Sequence, residues 1–201
     1  MKFFFAIFLL LAEYSISAQK VSTLKEVLKA AKEIVITDSF LIEYSTIDKT
    51  MLDEATGKSF IKMIYPNNTQ ISYGKYFIAG KIMSHPNFNI LLMCAERSKI
   101  YLEEERYPKP LTPDKSITQD IFLVILDKEN NYKYNFLAST NFQFKKEDKF
   151  TLRTSSSWFY SNFKVIQKSE IESNKKKYNS SMEYRLNDFG VFVAYPKYTR
   201  N

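Results

Sequence analysis

Cysteine and histidine each occur once in the 201 residues, and glycine only four times. A single cysteine permits no internal disulfide. One cysteine and one histidine together cannot supply the three or four nitrogen and sulfur ligands of a zinc site. The glycines, Gly57, Gly74, Gly80 and Gly190, are too dispersed to form a phosphate-cradling loop. The histidine, His85, precedes Pro86 in a turn-forming stretch, and no local signature marks a nucleophile or acid beside it, so it is expected to be an exposed turn residue. Beyond the N-terminal segment the longest apolar runs are Ile90–Ala95 and Ile121–Leu126. Both are far shorter than the roughly 20 residues of a membrane-spanning helix. No catalytic residue, metal or cofactor is expected from this inventory.

What remains is an ordinary globular composition, 45% hydrophobic and 16% aromatic. The chain starts with Met1-Lys2, an apolar run from Phe3 to Ala12, and small residues at Ser17 and Ala18. That order is the pattern of a secretory signal peptide, with a cut expected between Ala18 and Gln19. Ile16 is bulky for its place, so a cut one residue earlier, using Ser15 and Ser17, is the alternative. Residues 1–18 are therefore expected to be a signal peptide and 19–201 a single β-rich exported domain. That domain is expected to be secreted or periplasmic, soluble, and without a transmembrane segment after cleavage. In an oxidising compartment an unpaired thiol is safest inside a core, and Cys94 lies within the apolar run Ile90–Ala95.

The fold class expected is α+β and mostly β. Leu24, Val27, Leu28, Ala31 and Ile34 recur at helical spacing, which predicts an amphipathic helix over 22–34. Residues 50–63 are compatible with a helix broken near Gly57 or with a helix feeding a strand. Beyond residue 70, β-branched and aromatic residues alternate with turn formers. Hairpins are predicted around 84–89, around Asp127–Asn131 and around Asn187–Gly190, where Gly190 supplies a positive φ. A further pair, Phe150–Thr154 and Phe163–Glu170, flanks a Ser-rich stretch read as a loop. The prolines of 107–114 read as a long connection between two halves of the sheet system. The expected architecture is an antiparallel meander forming a curved sheet, a sandwich or an incomplete barrel, with the N-terminal helix on one face or edge.

Three constellations can carry function. Trp158, Phe159 and Tyr160 cannot all face one core, because alternate strand residues point to opposite faces. With Arg153 and Lys164 nearby, Trp158 and Tyr160 form the candidate ligand-binding set, suited to stacking on sugars or peptides. The bland reading is that the two rings plug the open end of the sheets. Glu103 and Glu105 share a strand face and suit a carboxylate-dependent hydrolase, or simply a solvated edge. Lys175–Lys177 reads as a solvated hairpin loop, and Asn67-Asn68-Thr69 and Asn179-Ser180-Ser181 match the glycan acceptor pattern.

The net charge of +7 is localised. Gln19 to Glu105 has 11 basic and 11 acidic residues, whereas Arg106 to Asn201 has 17 and 10. The expectation is an exported, non-enzymatic binding module with an anionic or glycan or peptide envelope component as partner, and no nucleic acid. A carboxylate-dependent hydrolase acting on an envelope or extracellular polymer is the alternative.

Overall fold

A computed structural model describes residues 24–66, 73–101, 114–146, 149–173 and 176–195. The segment 1–18 read as a signal peptide, the acceptor pattern at Asn67, Glu103 and Glu105, and the three prolines of the 107–114 stretch all lie outside these residues.

Among the described residues, ten strands and two helices follow in chain order: α1 (Leu24–Ala30), β1 (Ser39–Ile42), β2 (Thr50–Met51), α2 (Glu54–Ile64), β3 (Lys75–Ile82), β4 (Phe88–Tyr101), β5 (Asp114–Asp127), β6 (Tyr132–Lys146), β7 (Lys149–Tyr160), β8 (Lys164–Ser173), β9 (Lys176–Leu186) and β10 (Phe192–Tyr195). Strands β2 to β10 form one antiparallel sheet in sequence order, and β1 pairs with β7 off that path. The sheet is curved and unclosed. The expected mostly-β antiparallel meander is therefore the observed one, although β4 and β5 are immediate neighbours paired from Phe88↔Asp127 to Tyr101↔Asp114. The proline-rich stretch thus joins adjacent strands and not two halves of the sheet.

The two apolar runs lie side by side in β4 and β5, and both faces of each are buried. Ile90, Leu92 and Cys94 face one way with Ile121, Leu123 and Ile125, while Leu91, Met93 and Ala95 face the other with Phe122, Val124 and Leu126. Strands covered on both sides lose the polar alternation of a half-exposed sheet, which is why the runs are continuous. The second face packs against Phe60, Ile61 and Ile64 of α2, with Val27, Leu28 and Ala31 in the same cluster. Asp53 caps α2, accepting from the Thr56 amide at 2.9 Å and the Thr56 hydroxyl at 2.6 Å. The helix runs unbroken through Gly57, and the Tyr76 ring occupies the place where a Cβ would stand.

The first helix is shorter than its pattern predicts. After Ala30 the chain turns onto the open edge of β3, where the Ile34 amide donates to the Lys81 carbonyl and the Lys81 amide donates to the Lys32 carbonyl. The Lys81 ammonium donates to the Leu28 carbonyl at 2.9 Å, satisfying an acceptor that the helix end leaves open. Pairing with a sheet edge thus replaces the final helical turn.

The first face packs against the second half of the same sheet. Strands β6 and β7 pair from Lys146↔Lys149 only as far as Thr140↔Ser155 and then part. Beyond that point β7 pairs with β1 and β8. Ile42, Phe159, Val165 and Phe192 join Ile90, Leu92, Ile121, Leu123 and Ile125 in one buried cluster. The sheet is therefore folded beneath itself about one corner.

Serines build that corner. The stretch read as a Ser-rich loop is in fact the middle of β7. Ser139 Oγ donates to the Ser155 carbonyl, Ser157 Oγ to the Ala138 carbonyl, and Gln167 Nε2 to the carbonyls of Leu137 and Ala138. Where two strands separate, their ladder carbonyls lose partners, and short hydroxyl side chains replace them in a buried space.

Candidate functional site

Alternation along β7 buries Ser155, Ser157 and Phe159 and turns Thr154, Ser156, Trp158 and Tyr160 to the opposite, outward face. Cross-strand partners extend this face in rows: Thr154 with Glu170 and Asn179, Ser156 with Lys168 and Ser181, and Trp158 with Ile166 and Glu183. Tyr195 on β10 lies opposite Glu183, and Val193 opposite Arg185.

Trp158 keeps 38% of its surface exposed although it sits mid-sheet. The Lys164 ammonium stands 4.2 Å above the Tyr160 ring, and the Arg185 guanidinium 5.1 Å above that of Tyr195. Arg185 also donates from Nε and Nη2 to Glu183 Oε1, and Lys177 pairs with Glu170 at 2.7 Å. Beside the aromatic rows runs an open groove of about 600 Å³ whose walls are hydroxyls, Asn179, Lys168, Glu170 and Glu43. The face thus combines π surfaces, paired cations and a hydroxyl-rich trough.

Trp158, Tyr160 and Lys164, predicted together, come together here. Arg153 does not. It occupies the other face of β7, and its odd position against the even Trp158 and Tyr160 is the sequence signal for that.

Arg153 belongs to a second cleft, of about 510 Å³, on the helix side of the corner. Its centre is Asp120, only 6% exposed, which accepts from the Tyr73 hydroxyl at 2.7 Å and the Thr140 hydroxyl at 2.6 Å. Burial raises the Asp120 carboxyl above the usual range, against the opposing pull of those two hydroxyls and of Arg97 and Arg153. Burial also raises the Tyr73 phenol, with the Asp120 charge adding to it. Tyr65, at the end of α2, stands edge-on to Phe122 at 5.9 Å and forms one wall. No motif in the sequence singles out Asp120. Its one signal is a lone acid directly preceding the six-residue apolar run of β5.

The two scarce residues occupy structural places. Cys94 is fully buried, and desolvation pushes its thiol up to about 12, which removes thiolate reactivity at neutral pH. His85 is in the expected turn but is half-buried, stacked on Phe88 and edge-on to Phe163, and its Nδ1 accepts from the amides of Asn87 and Phe88. Burial, then Lys128, lowers its affinity for a proton. Among the described residues no group of three His, Cys, Asp or Glu side chains is placed to hold a metal ion. None of their helices is long and apolar enough to cross a membrane. No family model, curated protein or solved structure matches the chain.

Proposed function

We propose that the protein is an exported, non-enzymatic binding module that docks an acidic glycan through the outward face of β7 to β10. One observation carries this reading: Trp158, Tyr160 and Tyr195 share a face with Lys164, Lys168 and Arg185 beside a hydroxyl-lined groove. Aromatic faces stack on the C–H surfaces of sugar rings, hydroxyls and amides meet sugar hydroxyls, and ammonium and guanidinium groups attract uronate carboxylates. The basic excess belongs to the C-terminal half as a whole. On this face Lys177 and Arg185 are paired with Glu170 and Glu183, so the attraction for uronates in this reading is local to Lys164 and Lys168. In this reading α1 covers the β3 edge, supported by the burial of Val27, Leu28 and Ala31.

The hydrolase alternative rests on Glu103 and Glu105, which lie outside the described residues. The acid with a raised proton affinity, Asp120, faces two arginines and not a second carboxyl in its cleft. That arrangement favours binding over acid–base hydrolysis.

Affinity electrophoresis of the mature chain tests the proposal, with alginate as the acidic polysaccharide and dextran as the neutral one. Alginate is expected to retard the protein, with retardation falling as salt rises and dextran having little effect. Trp158→Ala with Tyr160→Ala is expected to weaken alginate binding at least tenfold. Unchanged retardation of that variant refutes the site, and salt-independent retardation refutes the charge complementarity.

A further inference from the structure

The Asp120 cleft has features that packing alone does not require. Arg97 Nε is buried without a hydrogen-bond partner, and its Nη2 reaches only Thr118 Oγ1 at a long 3.4 Å. Arg153 makes no hydrogen bond or ion pair among the described residues, yet it lines the same cleft. Both Asp120 oxygens are already engaged by Tyr73 and Thr140, so the acid serves as a fixed background charge. Two guanidiniums therefore line one cavity with unused donors. A buried donor without a partner is costly, but Arg97 Nε is sealed from the cleft, so what the cleft offers a ligand is the rest of the Arg97 guanidinium and that of Arg153.

The rest of the lining is apolar or aromatic, with Tyr65, Leu137, Phe142 and Ile171 around the polar centre. A volume near 510 Å³ falls inside the range of roughly 300 to 1,000 Å³ for small-molecule sites. The charges on the described lining residues, two arginines and one aspartate, sum to one positive. That balance matches a monoanion better than the dianion of a phosphate monoester.

We propose that this cleft, separate from the outward face, binds a small organic monocarboxylate with an aromatic or branched apolar body. The carboxylate meets the guanidiniums of Arg97 and Arg153, whose planar forks match it two donors to two oxygens. The body lies against Tyr65, Leu137, Phe142 and Ile171.

Calorimetric titration of the mature protein with hydrocinnamate at neutral pH tests this, with hydrocinnamamide and phenyl phosphate as controls. Saturable one-to-one binding of hydrocinnamate is expected, with the amide at least tenfold weaker and the phosphate weaker than the acid. Arg97→Gln and Arg153→Gln are each expected to lose at least tenfold in affinity, while Trp158→Ala with Tyr160→Ala leaves hydrocinnamate binding unchanged. Arg153 is exposed, so its variant keeps the fold even if Arg97→Gln does not. Equal affinity for acid and amide, no saturation up to the solubility limit of hydrocinnamate, or wild-type affinity in Arg153→Gln each overturns the proposal.

Discussion

Gly57 stands mid-helix in α2, where an alanine would ordinarily gain up to about 1 kcal/mol of helix propensity. Here an added Cβ would lie 2.1 Å from Cγ of Tyr76. Tyr76 cannot yield easily, because it is 3% exposed and its hydroxyl donates to the Tyr73 carbonyl at 2.7 Å. Overpacking wins. Gly57→Ala is expected to destabilise by about 2 kcal/mol, read from the shift in a urea unfolding midpoint. A stabilised variant would show that α2 does not sit against β3 in this way.

Asp120 makes a prediction in pH. Its folded carboxyl holds a proton more tightly than the unfolded one, whose ordinary value is 3.8. The stability it contributes is therefore full below that value and is lost as pH rises through the folded pKa. Asp120→Asn removes this dependence, so the variant should gain on the wild type as pH climbs from below 3.8 toward neutrality. Melting temperatures of both proteins across that range check it, and parallel curves would contradict the burial described. His85 has the opposite sense of dependence. Its lowered proton affinity adds stability above its unfolded value of 6.5, and that stability fades as pH falls toward the folded pKa.

At the scale of elements, the corner between β6 and β7 is the unusual construction. The Ala138 carbonyl accepts from both Ser157 and Gln167, so either donor alone can satisfy it. Ser157→Ala and Gln167→Met are each expected to cost about 1 kcal/mol. Together they leave a buried acceptor unpaired, and the double variant should exceed the sum by about 1 kcal/mol. A double-mutant cycle in urea reads this directly, and strict additivity would show that the carbonyl finds another partner.

The hairpins are legible in the sequence because their turns are written in local chemistry. Asn187 Oδ1 accepts from the Phe189 and Val191 amides and Gly190 adopts φ 80°, as the residue types imply. The serines of β7 read as a loop because serine is a poor strand former, and its value here comes from groups more than 15 residues away, as at Ala138 and Ser139. Strand β1, only Ser39–Ile42, has too few residues for an alternation to register. Trp158, Tyr160 and Lys164 are legible as a group because one tight turn joins their strands. The meeting of Arg97, Asp120 and Arg153 is not, since three neighbouring strand pairings bring them together.

Across the whole molecule, one sheet serves as two layers. Its first half is buried on both faces, by α2 on one side and by its own continuation on the other. Among the described residues this division leaves the second half, β7 to β10, with one outward face. These strands belong to the half of the chain that carries the whole basic excess of residues 19–201. On that face Lys164, Lys168, Lys177 and Arg185 alternate with Glu170, Glu172 and Glu183, so its charge is mixed, and Trp158 lies among these groups.

Trp158 is also the only tryptophan, so its emission reports on this face and no other. Titrating residues 19–201 with an alginate oligosaccharide while following intrinsic fluorescence is therefore the most direct measurement. A saturable change in intensity or wavelength is expected, weakened by salt and absent with a neutral oligosaccharide. Emission that stays constant while the oligosaccharide demonstrably binds would place the glycan elsewhere and contradict the assignment.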